Sequence, residues 1–369
     1  MQAAIDNKAL LTRVTLGALE LANRVVMAPM TRNRADEQGV PTPSMVQHYR
    51  DRATAGLIIA EGSWPCRAGQ AYCRQPGIET PEQIAGWRQV TDAVHDACGR
   101  IVLQLMHAGR IGSHWIKGPD TDHLAPSAIC ANGEIFTDAA GMQPFDMPRA
   151  LSTDEVWQQI AVFRQAARNA RQAGFDGVEL HCTSGYLPMQ FLCDGTNQRT
   201  DEFGGTAQNR ARFAAQCLIA LCDELGPGRV GVRLNPGNCY NDTADTDPEA
   251  SHRALLEQIA ALPLAYVHVM RSPLPTLDAI ALVRELWHGP VILNDNYQPD
   301  SAGQAIAGGQ GDAVSFARHF IANPDLVARI AASRALANFD RRTLYTPGDK
   351  GYNDYPNCDS ASIGATELA

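Results

Sequence analysis

The stretch GVELHCTSGYLPMQF, residues 177–191, joins a short apolar run to three side chains that can donate or accept protons. The run GVELHC has the length of a buried strand, and helix-like segments lie on both sides of it, at residues 152–174 and 209–226. His181, Ser184 and Tyr186 lie at or just after its carboxyl end. Apolar strands that alternate with helices are typical of a parallel sheet covered on both faces.

The same alternation of strand and helix repeats outward from this stretch over most of the chain. Longer amphipathic segments begin with Thr, Ser or Asp, and several of them end at Gly, as helices do. Between these segments, short apolar or β-branched runs predict eight strands, at residues 24–29, 56–62, 100–107, 177–182, 229–236, 265–270, 290–295 and 313–318. Eight such units favour a single α/β domain closed into a (β/α)8 TIM barrel.

The connection after the third strand is longer than a barrel requires. Residues 108–152 are rich in Gly, Pro, Asp and Ser, so we predict an excursion such as a hairpin or lid over the C-terminal face, where such barrels build their active sites. We assign residues 1–357 to the barrel and residues 358–369 to a flexible, polar C-terminal tail.

Composition and charge exclude several classes of partner. The formal charge is −9 and the chain has no Lys/Arg cluster, which argues against a nucleic-acid surface. No apolar run has the length of a membrane span, and the N-terminal residues do not resemble a signal peptide, so we predict a cytoplasmic protein without membrane contact. The ten cysteines are scattered without CxxC spacing and are interpreted as reduced core thiols.

The polar residues at the carboxyl ends of the predicted strands would converge on one mouth of the barrel. Arg233, after the fifth strand, suits an electron-rich carbonyl or a delocalised anion, although an ion pair with an acid such as Glu61 is the alternative. The loops after the last two strands supply Asn294, Asn296 and Arg318. Barrels of this kind often bind phosphate at that position, so we predict a phosphate site there.

His181 and Tyr186 make proton transfer plausible at the same mouth. A phenol with a pKa of about 10 remains protonated at neutral pH and can give its proton to a carbanion-like carbon. A histidine can donate a hydrogen bond to a substrate oxygen that gains charge. Motifs for other chemistry are missing, including GxGxxG after the first strand, the P-loop, HExxH and GxSxG, and we predict no metal site.

Several ordered motifs together resemble a known family. They span residues 8–356 and include MAPMTRNRA (27–35), QHYRDRATAGLIIAEG (47–62), LQLMHAGR (103–110), AGFDGVELHCTSGYLPMQFL (173–192), NQRTDEFGG (197–205), IANPDLV (321–327) and GYNDYP (351–356). The sequence is similar to the Old Yellow Enzyme flavoproteins, particularly the bacterial branch of N-ethylmaleimide reductase and pentaerythritol tetranitrate reductase. The resemblance implies a barrel that binds FMN noncovalently, is reduced by NADPH or NADH, and reduces alkenes conjugated to an electron-withdrawing group.

The resemblance also implies roles for single residues. His181 would bind the activating oxygen, and Tyr186 would protonate the alkene carbon opposite to the hydride. Ser184, Met106, Tyr72 and Tyr352 match positions that line the substrate cavity in relatives. The cofactor would be bound by the following residues, through side chains or backbone groups: Pro29, Thr31, Gly62, Gln104, Arg233, Asn294, Asn296, Ala317 and Arg318.

Ser184 departs from the family pattern, because relatives usually carry His or Asn there as a second donor to the substrate. A serine hydroxyl is shorter and can need a bridging water, so stabilisation of the developing charge should weaken. Met106, Asn235 and Ala317 also depart, standing where many relatives have Trp, Ser and Gly. These departures predict a remodelled cavity.

Three functional hypotheses follow from these residues. The first is an NAD(P)H-dependent FMN ene-reductase acting on a small α,β-unsaturated molecule, as a monomer. The second is a family member retuned at Ser184 for a specialised isomerisation, dehydrogenation or reductive cyclisation on a biosynthetic intermediate. The third is a flavin-binding or ligand-binding barrel with little catalysis, or a phosphate-binding barrel enzyme without flavin, against which the joint presence of Gln104, His181, Tyr186 and Arg233 argues.

Overall fold

The computed structural model describes residues 7–358. The strands are β1 (Val14–Leu16), β2 (Leu19–Leu21), β3 (Val25–Met27), β4 (Leu57–Ser63), β5 (Ile101–Leu105), β6 (Leu124–Ala125), β7 (Glu134–Thr137), β8 (Gly141–Pro144), β9 (Arg149–Ala150), β10 (Gly177–Cys182), β11 (Val230–Leu234), β12 (Tyr266–Met270), β13 (Val291–Asn294) and β14 (Ala313–Phe316). The α-helices are α1 (Pro43–Arg50), α2 (Pro81–Asp96), α3 (His114–Lys117), α4 (Thr153–Gln172), α5 (Leu187–Leu192), α6 (Ala207–Leu225), α7 (Pro248–Ile259), α8 (Ala279–Leu286), α9 (Pro299–Ala307), α10 (Arg318–Ala322) and α11 (Leu326–Ala331).

The eight predicted strands form one closed parallel barrel, in the order β3, β4, β5, β10, β11, β12, β13, β14 and back to β3. The prediction of a (β/α)8 barrel is therefore confirmed. The register between neighbouring strands places functional residues side by side. His181 on β10 lies beside Arg233 on β11, and Met270 on β12 lies beside Asn294 on β13. Residues that alternate along each strand point alternately into the barrel and toward the helices, so Glu179 and His181 share one face of β10.

The outer helices begin at side chains suited to capping. Ser152 and Glu155 form a reciprocal capping box at the start of α4, and Thr80 with Gln83 does the same for α2. Helix α4 packs its buried residues, such as Phe163 and Ala166, into the main core between helices and strands. These local signals explain why the helix positions could be predicted from the sequence.

An N-terminal hairpin that the strand predictions did not include closes the amino-terminal end of the barrel. β1 pairs with β2 through a turn at Gly17, where the φ angle is +59°. A Cβ at Gly17 would lie 2.7 Å from the Cα of Gly228, so only glycine permits this contact. Leu16 and Leu19 pack on inward-facing strand residues of the barrel. The barrel is thus filled from this end and open to ligands at the carboxyl ends of its strands.

The predicted excursion after β5 contains a real hairpin, which confirms that expectation. β7 and β8 pair antiparallel from Glu134 opposite Pro144 to Thr137 opposite Gly141. The base of the excursion reaches the loop after β11, because Arg110 donates to the carbonyl of Asp242 at 2.5 Å. The excursion therefore covers part of the barrel mouth. The division at residue 357 stays a prediction, because residues 359–369 lie outside the described part of the chain.

Two general expectations can be compared with the structure. All ten cysteines are free thiols, but only Cys182, Cys193, Cys217 and Cys222 are buried, so their interpretation as core residues is wrong for the other six. Within residues 7–358, none of the helices combines the length and the apolarity needed to cross a bilayer.

Candidate active site

The tyrosine predicted to act as an acid lies against a second tyrosine. Tyr186 is the N-cap residue of α5, directly after the turn that follows β10. Its hydroxyl lies 2.8 Å from the hydroxyl of Tyr72, and its ring contacts the edge of the His181 ring at 4.9 Å between centroids. Burial raises the pKa of Tyr186 well above its usual value and raises that of Tyr72 to about 12. Both phenols are therefore protonated at neutral pH and can pass a proton between them.

His181 is buried and uncharged. Burial lowers its pKa well below the usual value, and the positive charge of Arg233 lowers it further. Its Nδ1 atom is buried without a hydrogen-bond partner among the residues that the structure describes. A neutral imidazole has one donor and one acceptor nitrogen, so His181 keeps a free polar atom for a ligand.

Ser184 does not present its hydroxyl freely. Its Oγ lies 2.9 Å from Oγ1 of Thr183, and its φ angle of +59° places it in the left-handed region. Its carbonyl accepts a hydrogen bond of 2.8 Å from Nδ2 of Asn241. Burial raises the pKa of Tyr186, and the side chain of Asn241 opposes this effect only slightly. Sequence reasoning missed Asn241, although the pair Asn241–Asp242 was a signal, because these residue types tolerate the left-handed φ angles of 57° and 58° found here.

An apolar wall lies beside the tyrosine pair. Met106 and Tyr186 belong to one buried hydrophobic cluster. Tyr72, which is only partly buried, packs against this cluster. Gln75, which sequence reasoning missed, donates to the carbonyl of Gly62 at 2.7 Å and to the sulfur of Met106 at 3.6 Å. A Cβ at Gly62 would lie 2.6 Å from that sulfur. The absence of a side chain on Gly62 therefore lets Met106 pack directly against the backbone at the end of β4.

Arg233 lies in the polar interior of the barrel. Its Nη2 donates to Oδ1 of Asn294 at 2.8 Å, and its Nε has no partner within residues 7–358. Burial lowers its pKa, and the negative charge of Glu179 opposes that effect. The alternative ion pair with Glu61 is wrong, because the carboxylate of Glu61 accepts from the backbone N–H of Arg32 at 3.2 Å and from the hydroxyl of Tyr49 at 3.1 Å. Burial raises the pKa of Glu61 to about 7.

Gln104 reaches the same interior from β5. Its Nε2 donates to Oε1 of Glu179 at 2.8 Å, and Oε2 of Glu179 lies 2.8 Å from Nδ1 of His268. Nε2 of His268 lies 2.8 Å from the hydroxyl of Ser315. Sequence reasoning considered the strand ends and so missed Glu179, His268 and Ser315. The available signal was a charged residue within a strand predicted to be apolar on both faces.

The two loops predicted to bind phosphate form an open backbone cradle. Asp295 and Asn296 are consecutive left-handed residues, with φ angles of 83° and 56°. Such a turn directs successive N–H groups to one side, where they can hold an anion. Ala317 precedes α10, and the side chains of Asn296 and Arg318 are exposed. The side chain of Asn294 instead bonds Arg233 and Ser315, so this residue can offer a phosphate only its backbone.

Pro29 and Thr31, which follow β3, are partly exposed. Tyr352 is placed differently from the expectation of a cavity-lining aromatic. It is fully buried, stacked on the ring of His48 at 3.7 Å, with the guanidinium of Arg34 4.7 Å from its ring centroid. Arg32 and Arg34 hold this C-terminal segment by donating to its carbonyls. The structure therefore does not bring Tyr352 beside Tyr72 and Tyr186.

The mouth fits a planar group with polar edges and an anionic tail. Buried polar atoms without partners among the described residues include Nδ1 of His181, Nε of Arg233 and Oδ1 of Asn235. Leaving such atoms unpaired is costly, so their clustering indicates a ligand. The turn at Asp295–Asn296 admits a phosphate. These are features that FMN requires.

Comparison with known proteins identifies the family. Residues 9–337 match the family model described as "NADH:flavin oxidoreductase / NADH oxidase family". The chain belongs to this family. It is 41% identical over 355 residues to a "Probable flavin mononucleotide-dependent alkene reductase" of Leishmania infantum, covering 94% of this chain and 97% of that protein. It is 37% identical to "Putative 12-oxophytodienoate reductase 4" of Oryza sativa subsp. japonica, covering 100% of this chain and 98% of that protein.

Solved structures agree with the assignment to the NADH:flavin oxidoreductase / NADH oxidase family. Morphinone reductase superposes with a TM-score of 0.91 at 38% identity, covering 99% of this chain and 100% of that chain. The Old Yellow Enzyme homologue of Zymomonas mobilis superposes with a TM-score of 0.91 at 36% identity, covering 94% of this chain and 99% of that chain. The resemblance to Old Yellow Enzymes is confirmed, and the protein is an FMN-dependent, NAD(P)H-linked oxidoreductase. The narrower likeness to its bacterial branch stays a prediction.

Proposed function

We propose that this protein reduces small alkenes conjugated to an electron-withdrawing group, with Tyr186 as the proton donor. The observation that carries the proposal is the contact of the Tyr186 and Tyr72 hydroxyls at 2.8 Å, with the Tyr186 ring on the neutral His181. A donor phenol, a second phenol behind it and an unpaired imidazole nitrogen are the groups that protonation beside a polarised carbonyl requires.

Similar proteins support the same activity. One relative is described as an alkene reductase, and others as 12-oxophytodienoate reductases. Morphinone reductase has been solved in complex with tetrahydroNAD, an analogue of the nicotinamide reductant. These descriptions favour ene-reduction over an isomerisation, dehydrogenation or cyclisation retuned at Ser184, and over a barrel without catalysis.

Each residue of the site has a separate role in the proposed reaction. FMN, when bound, supplies the hydride that NAD(P)H delivers to the enzyme. Neutral His181 donates a hydrogen bond to the substrate oxygen, so that the charge developing there is stabilised. Tyr186 gives its proton to the carbon that does not receive the hydride, which leaves a C–C single bond. Tyr72 can then pass its proton to Tyr186 through their shared contact and take up a proton from solvent, to which Tyr72 is partly exposed.

We propose that the following residues hold FMN: Pro29, Thr31, Gly62, Gln104, Arg233, Asn294, Asn296, Ala317 and Arg318. Gln104 and Arg233 present polar groups from the barrel interior. Pro29, Thr31 and Gly62 form the edge at the ends of β3 and β4. The backbone of Asn294 and Asn296, together with Ala317 and Arg318, would hold the phosphate. Substrate would contact Tyr72, Met106 and Ser184, whereas Tyr352 supports the mouth from behind.

The proposal is tested by an anaerobic titration of the purified protein with NADPH, followed by 2-cyclohexenone. We expect the flavin absorbance to bleach with NADPH and to return with the enone. Bleaching without recovery would contradict ene-reduction of simple enones and would favour the retuned alternative. A colourless protein that takes up no FMN would contradict the proposal altogether. Running NADH in parallel shows which nicotinamide is preferred.

Substitution of Ser184 by Asn should tighten enone binding. Asn tolerates the left-handed backbone at this position, and its longer amide donor can reach past the Thr183 hydroxyl that Ser184 contacts. Because the amide adds one hydrogen bond to a carbonyl that gains charge, we expect the KM for 2-cyclohexenone to decrease about tenfold. Ser184→Ala is the matched control. This substitution should change the KM less than about twofold, because the hydroxyl that it removes is already hydrogen-bonded to Thr183. A large loss in Ser184→Ala would show that serine already serves as the donor.

We further propose that the enzyme works as a cytoplasmic monomer on small molecules and binds no nucleic acid. The net charge of −9 supports the last point, because a surface of this charge repels phosphate backbones. Size-exclusion chromatography with light scattering tests the monomer, since a dimer would elute with twice the mass of 39.9 kDa.

A further inference from the structure

Six side chains from six of the eight barrel strands form one continuous chain of hydrogen bonds below the mouth. In order, they are Gln104 (β5), Glu179 (β10), His268 (β12), Ser315 (β14), Asn294 (β13) and Arg233 (β11). The five bonds measure between 2.7 and 2.8 Å, and all six side chains are buried. We call this chain the interior relay. Its two ends, Gln104 and Arg233, are the side chains proposed to meet FMN from within the barrel.

Every bond of the interior relay has a defined direction. Arg233 can only donate, so Asn294 accepts with its Oδ1 and must donate with its Nδ2, which points to Ser315. Burial lowers the pKa of His268, so this imidazole is neutral and carries one proton. With that proton on Nδ1, it donates to Glu179 and accepts from the Ser315 hydroxyl on Nε2. Glu179 is the one member of the relay that accepts from both of its neighbours, Gln104 and His268, so the donor directions converge on its carboxylate.

Glu179 thereby fixes the orientation of the Gln104 amide. A carboxylate accepts and cannot donate, so Gln104 must turn its Nε2 toward Glu179. Its Oε1 then faces the mouth beside Gly62, because a Cβ built on Gly62 lies 3.4 Å from that oxygen. The amide therefore offers a ligand its carbonyl and its second N–H in a set geometry.

Glu179 also balances the charge of Arg233. A buried guanidinium is costly unless an opposite charge compensates it, and the negative charge of Glu179 opposes the effect of burial on the pKa of Arg233. The two residues do not touch. The charge of Glu179 acts on Arg233 through space, while His268, Ser315 and Asn294 connect the two by hydrogen bonds. Nε of Arg233 stays unpaired among the described residues and is available to a ligand.

We infer that Glu179 is a positioning residue for the flavin, which orients Gln104 directly and holds Arg233 through the interior relay. The inference rests on the proposed binding of FMN by these two side chains. It predicts that loss of the Glu179 charge changes both the affinity for FMN and the balance between its oxidised and reduced forms. Damage confined to folding would change neither.

The test compares three variants of the full chain. Glu179→Gln keeps the shape of the side chain but removes its negative charge. It also points an amide N–H at Gln104 or His268, both of which are themselves donors. Ser315→Ala interrupts the relay at its middle. Because it removes only one small hydroxyl, it can test the inference even if Glu179→Gln does not fold. Val178→Ala is the matched control, because it truncates the neighbouring residue of β10 on the face that packs against the helices.

For each protein, the FMN dissociation constant of the apoprotein, the flavin midpoint potential and the unfolding temperature are measured. We expect Glu179→Gln to weaken FMN binding about tenfold. Removal of a negative charge should favour reduced FMN about tenfold over oxidised FMN, which is a rise of ~30 mV for a two-electron couple. Ser315→Ala should shift the potential in the opposite direction, because Arg233 is held less firmly. Val178→Ala should lower only the unfolding temperature.

Two other outcomes are distinguishable. If wild-type protein binds FMN and both relay variants bind it with unchanged affinity and potential, the inference is overturned while the proposed function stands. If wild-type apoprotein binds no FMN, the proposed function is overturned and the inference falls with it.

Discussion

Substitution of Tyr186 by Phe should slow the reoxidation of reduced enzyme by 2-cyclohexenone by roughly a hundredfold, the lower range for loss of a positioned general acid. The ring, its burial and its contact with His181 are retained, so only the hydroxyl is lost. Reduction of the enzyme by NADPH needs no proton from this phenol and should change by less than about threefold. Stopped-flow absorbance of the flavin measures the two half-reactions separately.

Two further tyrosines provide the controls for Tyr186→Phe. Tyr72→Phe leaves the donor in place and removes only its neighbour, so we expect a loss of less than about tenfold, as for a single hydrogen bond. Tyr355→Phe removes a hydroxyl that accepts from the backbone N–H of Asp340 and should have no effect on either half-reaction. Equal slowing of both half-reactions in Tyr186→Phe would exclude the role of acid.

The barrel could be predicted from the sequence because its signals are local. Each strand is a short apolar run, and each helix carries a start signal such as the capping boxes at Thr80 and Ser152. The N-terminal hairpin was missed because its strands are three residues long, too short for periodicity to show. It is defined instead by the contact of Gly17 with Gly228, which are far apart in the sequence.

The site could be predicted only in part, for a physical reason. Strand-end residues such as His181 and Arg233 follow from the rule that barrels place function at one end. The partners of these residues depend on which strands become neighbours and on side-chain direction within the barrel. Glu179 and His268 pair across 89 positions of sequence, and no local pattern indicates such a pair. Tyr352 was matched by motif to a cavity wall, yet packing against His48 and Arg34 buries it.

Substitution of Arg233 by Gln should abolish most FMN binding, weakening it by about a hundredfold or more. Removal of one member of a buried, hydrogen-bonded charge network typically costs about 2–5 kcal/mol, since its former partners remain buried. Here Asn294 would lose its donor and Glu179 its compensating charge. Any FMN that remains bound should have a more negative midpoint potential, because the positive charge that favours the anionic reduced form is lost. Fluorescence titration of apoprotein with FMN measures the dissociation constant.

Arg233→Lys and Arg229→Gln separate the causes of that loss. Lysine keeps the charge without the planar fork, so an intermediate affinity would show that both charge and geometry contribute. Arg229 precedes the same strand at its opposite end, where it is exposed and donates to the carbonyl of Asp176 at 2.9 Å. Its substitution by Gln removes an equal charge and should leave FMN affinity unchanged. If Arg233→Gln binds FMN as tightly as Arg229→Gln, the guanidinium is a structural group of the barrel interior, and the cofactor must be held by the other proposed residues.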